Sequence, residues 1–386
     1  MTGSADQLLF TGDLDIIDGH VHPCLYRAQV SASDVISSFT EADDEIYVAR
    51  HAGNTVTAAA GVRYLAGVLG VPATAEGLAA ARNQLGLAGY TRKLLAGHQL
   101  RGLILDTGYP AGGLSLADCE RVFAVPCREV VRVESVAESL IGAAPSAREL
   151  IDQLMQTLAA VDRERVVAFK TIAAYRGGLQ LGRPNRAELR AAFDAERRAI
   201  DQRAGRIRLT QPALIAAIVY AAFEVAQSLR MPVQIHTGFG DRDLTLAKSD
   251  PWLLQPLLDS GQFSGVPIAI LHAGYPHVKK AGILAGLYQQ VQVDISLAVP
   301  LVGHGCRNVI LDLLEQAPIS KLLYGSDGSV GPELVAWAAR VASREVDAAL
   351  RELVSNAWLT EAEARSWARH LFADNARKLY GLDGVM

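Results

Sequence analysis

Eight runs rich in Val, Ile and Leu, each breaking off in polar or glycine residues, recur along this chain of 386 residues, with helix-length segments between them. In order they are LDIIDGHVH (14–22), RGLILDTGY (101–109), REVVRVES (128–135), RVVAFKTIAAY (165–175), PVQIHTGFGD (232–241), PIAILHAGYP (267–276), VQVDISLA (291–298) and KLLYGSDG (321–328). A strand that reads as a continuous apolar run is buried on both faces, and strands alternating with helices imply a parallel sheet. Eight such units predict an α/β fold of the (β/α)8 TIM-barrel kind, formed as a single domain over 1–386. No GxGxxG follows an early strand, which argues against a dinucleotide-binding sheet.

Two connections exceed the usual length. Residues 23 to about 100 carry several helical patterns, among them DDEIYVARHAGNTVTAAAGVRYLAGVLG and AEGLAAARNQLGLAGYTRKLLAG, and read as a helical insertion after the first strand. Residues 176–230 form the second, with RGGLQLGRPNR leading into helices. Long insertions at the carboxyl ends of barrel strands shape or cover an active site. Half of the residues are hydrophobic and 20% are charged, a balance that suits a well-cored enzyme-sized protein. Lys and Arg number 37 against 41 Asp and Glu, a net charge of −4 without a long basic tract, so nucleic acid is not an expected partner. Cys24, Cys119, Cys127 and Cys306 show no C-x-x-C spacing, which predicts neither a disulfide framework nor a thiolate zinc site and suits a reducing cytoplasm. The amino-terminal MTGSADQLLFTGDLD lacks the basic and apolar regions of a signal peptide, and no apolar stretch reaches spanning length without charges. A soluble, unexported protein without a membrane partner is the expectation.

In a barrel the carboxyl ends of all strands meet at one face. Those ends present His20 and His22, Asp106, Glu134, Lys170, His236, His272 and Asp327. Residues i and i+2 of a strand point the same way, so His20 and His22 can converge on one point. Imidazoles and carboxylates are ligands suited to zinc or a related transition metal. Singly, His236 reads equally well as a core histidine and Asp327 as a helix cap; jointly the set predicts a metal site. Tyr175 and Arg176, just beyond Lys170, suit a substrate carboxylate, because guanidinium binds carboxylates bidentately; a surface salt bridge is the plain alternative for Arg176. Asp241 and Asp243 could receive an ammonium group or form a solvated turn. His304 in LVGHGCRN is a further candidate contact. His51 and His98, inside the insertion, are assigned no chemistry, and His277 and His370 are given structural roles.

H-x-H on the first strand, Lys on the fourth, His on the fifth, His on the sixth and Asp on the eighth is the order found in the amidohydrolase superfamily of metal-dependent barrels. FADNARKLYGL resembles the ending of its amidohydrolase-2 branch, and the resemblance covers nearly the whole chain. More closely, FKTIAAYRGGL, IHTGFGDRDL, LHAGYPHVKKAGILA and YGSDG resemble the amidohydrolase-like domain fused to glutamine-synthetase-like domains in fungal developmental and plant nodulin-type proteins. The sequence ends at Met386 with no synthetase-like segment, which reads as a free-standing relative.

This resemblance implies a divalent metal, Zn2+ first and Mn2+ second, held by His20, His22, His236 and Asp327. It implies water as nucleophile, with Asp327 as both ligand and proton shuttle. Lys170 and His272 stay open. In binuclear relatives a carboxylated lysine bridges two ions and the histidine holds the second; in mononuclear relatives the histidine contacts water or substrate. An unmodified lysine ammonium cannot ligate a metal but could bind a substrate carboxylate. One tightly held ion is the favoured scheme. The expected activity is hydrolysis of a small amide-type C–N bond, with γ-glutamyl amides suggested by the synthetase fusion. A non-oxidative decarboxylase or lyase on the same residues and a non-catalytic metal-binding scaffold domain are the alternatives. A small-molecule substrate and a homodimer are the expected partners.

Overall fold

In the computed structural model, which describes residues 8–202, 207–382, 384 and 386, each of the eight apolar runs contains one strand. The strands are β1 (Asp15–Val21), β2 (Gln99–Asp106), β3 (Cys127–Arg132), β4 (Val166–Thr171), β5 (Val233–Ile235), β6 (Ile268–Ile270), β7 (Val291–Asp294) and β8 (Leu322–Leu323). They follow one another in chain order through one eight-stranded sheet, the order of a (β/α)8 barrel. The first seven residues of the amino-terminal stretch read above lie outside the described residues.

Several strands stop earlier than their apolar runs. β3 ends at Arg132, and Glu134 sits in the first turn of the helix Val133–Leu140 rather than on a strand end. β4 and β6 hand over to tight turns, Ala173–Tyr175 and Leu271–Gly274, and the second holds His272 at φ 64 and Ala273 at φ 54. Both residues are in the left-handed region that non-glycine side chains seldom adopt.

The chain divides into two compact units, the first made of Met1–Arg128 with Asp294–Met386 and the second of Glu129–Val293. In the first, β1 pairs in parallel with β2. On its other side, residues 19–25 bond to residues 324–330: Gly19 N to Tyr324 O (2.9 Å), Asp327 N to His20 O (2.9 Å), His22 N to Gly328 O (2.7 Å) and Leu25 N to Val330 O (2.9 Å). The stretch between β1 and β2 holds the helices Ala32–Ser37, Glu45–Arg50, Val56–Leu69 and Ala75–Leu95. Ser31, Asp44, Thr55 and Thr74 cap them, each side chain accepting an otherwise orphaned backbone N–H of the first turn. Ala75–Leu95 is tied to the start of the long helix Glu333–Ser355 by a buried ion pair, Arg82 Nη1 to Glu333 Oε1 at 3.1 Å.

In the second unit, β3 to β7 are parallel neighbours, with Lys170 of β4 in register with Arg132 of β3 and Gln234 of β5. The helix Pro212–Leu229 is long and apolar enough to cross a membrane by length and composition, yet 67% of it is buried. It packs on the helices Ala147–Ala159, Arg186–Gln202 and Val133–Leu140 and on β4, and its apolar girth is spent in that core. Pro212, in its first turn, supplies a preset φ where no N–H is needed.

His98 precedes β2 in the first unit, half-buried, with Nε2 3.1 Å from the Tyr64 hydroxyl. Burial, with Arg340 nearby, pushes its pKa down to about 4. The unfolded chain therefore takes up the proton first, and the folded state loses stability as pH falls from about 6.5 to about 4. Replacing His98 with Gln removes that titration. In denaturant unfolding at pH 7 and pH 4.5, the loss on acidification is expected to be smaller in His98→Gln than in the parent by about 1 to 3 kcal/mol; identical losses would show that His98 does not carry it.

Candidate metal centre

His20 lies on β1 and His22 one residue beyond it, both buried, at 0% and 7% exposure. Their rings meet edge to face with centroids 5.1 Å apart. Facing them is Asp327, whose Oδ1 lies 3.0 Å from His20 Nε2 and 3.2 Å from His22 Nε2. The three ligand atoms all fall within 4.8 Å of one another.

The tautomer of His22 follows from its other nitrogen. Nδ1 lies 3.1 Å from the Asp106 carbonyl oxygen. A carbonyl only accepts, so Nδ1 carries the proton and the neutral ring turns the lone pair of Nε2 toward Asp327. Two lone pairs facing each other across 3.2 Å require a cation or a proton between them, and the N, N, O donor set suits a zinc-like ion. The residues present therefore fit a metal. Asp106, a strand-end residue in the sequence, supports the ligand His22 through its backbone, while its own Oδ1 accepts the Gly108 N–H at 3.0 Å.

Asp327 has a φ of 54, and its backbone is held there from several sides. Its N–H donates to His20 O, and the preceding Ser326 N–H donates to Asp18 Oδ1 at 2.8 Å. Asp18 is completely buried on β1, and that burial pushes its pKa up to about 7 against the hydrogen bonds from Ser326, with Asp294 adding to the rise. Asp294 at the end of β7 accepts the Ser296 N–H at 2.9 Å and stands against Gly325. A Cβ at Gly325 would lie 2.6 Å from Asp294 Oδ2 and 3.2 Å from the His20 nitrogen, so the chain passes there only as glycine. Neither Asp18 nor Asp294 is among the sequence candidates. Asp18 extends the two-residue period of His20 and His22 one step back, and Asp294 is the carboxylate of the seventh run; both signals were present.

The second unit brings together another group. His236, one residue beyond β5, donates its N–H to Thr171 O at 3.1 Å. Its Nδ1 is 2.9 Å from His272 Nε2, and its ring lies 4.6 Å from that of Tyr175. The Tyr175 hydroxyl accepts the Asp241 N–H at 3.3 Å, and a Cβ at Gly240 would collide with that hydroxyl. Tyr175, His236, Asp241 and His272 thus form one cluster. Lys170, on β4, is 2% exposed. Glu134, fully buried, accepts the Thr171 hydroxyl at 2.5 Å and the Ile172 N–H at 3.1 Å. Burial raises its pKa. Its place is beneath the end of β4, where it fixes the backbone that follows Lys170.

Other candidates are engaged elsewhere. Arg176 forms a buried ion pair with Glu138, Nη2 to Oε1 at 3.1 Å, neither a surface salt bridge nor an open carboxylate fork. Asp243 pairs with Arg208 at 2.8 Å and donates its N–H to Asp241 Oδ1 in a local turn. His304 is exposed in the turn Gly303–Gly305 and lines a groove to which His20, His22 and Asp327 do not contribute. His277 and His370 lie 3.9 Å from Asp250 and Asp374, and His51 stacks against Tyr47.

Comparison with known proteins follows the same lines. A family model described as amidohydrolase matches residues 153–382. Protein fluG of Emericella nidulans is 28% identical over 321 residues, which are 76% of this chain and 37% of fluG, so the chain spans little more than a third of that relative. The crystal structure of a candidate metal-dependent hydrolase from Lactobacillus casei superposes with a TM-score of 0.88 at 27% identity over 99% of both chains. Uronate isomerase of Thermotoga maritima shares the fold, with a TM-score of 0.63 at 14% identity over 96% of each chain.

Two substitutions test the supports. Asp18→Ala removes the acceptor for the Ser326 N–H and is expected to weaken metal binding about 10- to 100-fold in a competition titration against a chromophoric chelator. Unchanged affinity would mean that Asp327 is positioned without it. Glu134→Ala strands the Thr171 and Ile172 donors in the interior and is expected to cost about 1 to 3 kcal/mol in denaturant unfolding.

Proposed function

Because this chain belongs to the amidohydrolase family, we propose that it is a metal-dependent hydrolase cleaving a small amide-type C–N bond, with γ-glutamyl amides as the substrate class. The observation that carries this reading is the convergence of His20 Nε2, His22 Nε2 and Asp327 Oδ1, with His22 fixed in the ligating tautomer by the Asp106 carbonyl. The family resemblance names His236, of the second unit, as a further ligand. With Nδ1 turned to His272, Nε2 is the atom through which it would bind.

A single Zn2+, which these residues would hold, would supply a Lewis acid for the scissile carbonyl and lower the pKa of water toward about 7. Asp327 takes the proton of the attacking water and returns it to the leaving amine, a task that needs a carboxylate within hydrogen-bond reach of both. His272 orients His236, and that engagement of its Nε2 favours one ion over a scheme in which His272 holds a second. Arg176 is paired with Glu138; in this reading the ammonium of Lys170 meets the substrate carboxylate and Asp241, beside Tyr175, its amino group. The four cysteines, all buried thiols, accord with a reducing compartment, and the reading places a homodimer in the cytoplasm.

Protein purified without chelator is expected to hold about one ion per chain by plasma emission and to lose it in His22→Ala. On a panel of γ-glutamyl amides it should release amine, with kcat reduced about 10²- to 10⁴-fold in Asp327→Asn. Two ions per chain would transfer the bridging role to a carboxylated Lys170. Carbon dioxide release from an aromatic acid without amine release would replace hydrolysis by decarboxylation, and bound metal without turnover on either panel would leave the scaffold reading.

A further inference from the structure

Within the first unit a cavity of about 350 Å³ is lined by the helices Val56–Leu69 and Glu333–Ser355 and by Gly303 and His304. That volume is at the small end of the roughly 300 to 1,000 Å³ typical of small-molecule sites. Trp337, Arg340, Val341 and Arg344 stand at i, i+3, i+4 and i+7, one face of the long helix. Arg63 and Tyr64 come from the facing wall.

The aromatic walls are fixed. The Trp337 indole N–H lies 3.0 Å from both the Thr57 hydroxyl and the Pro300 carbonyl oxygen. Tyr64 is held at its hydroxyl by His98, and the Tyr64 and Trp337 rings lie 6.1 Å apart. The Arg340 guanidinium rests over the Tyr64 ring at 5.5 Å, an arrangement that holds the planar group in place. Among the described residues, neither Arg63 nor Arg340 forms an ion pair, and Arg344 has only a 3.6 Å contact with its neighbour Glu345. Three arginines against one glutamate give the lining a formal charge of +3 − 1 = +2 on a chain whose net charge is −4. Burial pushes the Glu345 carboxyl up, while Arg344, Arg307, His304 and Arg340 pull it down.

One guanidinium held over a ring, with two more arginines on the same lining and one glutamate against the three, is complementary to an anion that brings its own flat apolar body. We propose that this groove binds a small organic anion made of a planar ring bearing a phosphate or carboxylate group, at a site separate from the His20, His22 and Asp327 cluster.

Isothermal titration of the full chain with phenyl phosphate, benzoate and inorganic phosphate tests this. At least one ring-bearing probe should bind, with inorganic phosphate about tenfold weaker or more. Arg340→Gln and the exposed Arg63→Gln should each weaken the ring-bearing probe about tenfold, whereas His22→Ala should leave it unchanged. Tighter phenyl phosphate identifies a phosphate ligand and tighter benzoate a carboxylate. Absence of heat with every probe overturns the proposal, as does inorganic phosphate binding as tightly as the tighter of the two ring-bearing probes. Loss of binding in His22→Ala with retention in Arg340→Gln would place the probe at the metal ligands and overturn it equally. Should Arg340→Gln fail to fold, Arg63→Gln and Arg344→Gln carry the same test.

Discussion

The backbone bonds that join residues 19–25 to residues 324–330 set the chemistry of the first unit. In a strand the side-chain period is two residues, so a slip of one position would turn His20 and His22 away and bring Gly19 and Val21 to their places. The same ladder holds Asp327 at its left-handed φ of 54, which costs roughly 1 to 2 kcal/mol for an L-residue. Gly325 lets the strand pass close enough to Asp294 and His20 for that ladder to form. Register, one glycine and one strained residue together decide whether two imidazoles and a carboxylate meet.

In both units the protein spends a buried acid to hold a backbone. Asp18 takes the N–H of Ser326, next to Asp327. Glu134 takes the hydroxyl and N–H that follow Lys170, and Glu138 takes the Leu209 N–H together with Arg176. A carboxylate out of water is expensive, and the raised pKa values of Asp18 and Glu134 record that expense. What the fold gains is polar backbone fixed in the interior with its donors satisfied, and so ligand-bearing segments that cannot drift.

The strands were legible because apolar runs buried on both faces leave an unbroken signature, and H-x-H was legible because strand period is strict. The ends of the runs were less so. His272 and Tyr175 lie in tight turns whose left-handed or irregular backbone no periodicity announces, and Glu134 begins a helix where an extended run was expected. The pairing of Arg176 is not legible in the sequence, because its partner Glu138 is 38 positions back on the helix Val133–Leu140, beyond any local pattern. The basic groove is drawn from three separated stretches, and only folding places Arg63 and Tyr64 opposite Trp337 and Arg340. Asp18 and Asp294 are of another kind: the period of two and the strand-end rule both reached them.

The three ligand atoms come from positions 20, 22 and 327, so 327 − 22 = 305 residues separate the second histidine from its carboxylate. On a ribosome adding roughly 5 to 20 residues per second, the histidines wait about 15 to 60 s for Asp327. During that interval the nascent chain has no N, N, O set to offer, and the β1 edge that the 324–330 segment will cover stays bare. Assembly of the three-atom set therefore waits until Asp327 has been made. A product broken off before Asp327 keeps its H-x-H but never acquires the ladder or the carboxylate, so two of the three ligand atoms stand without the third.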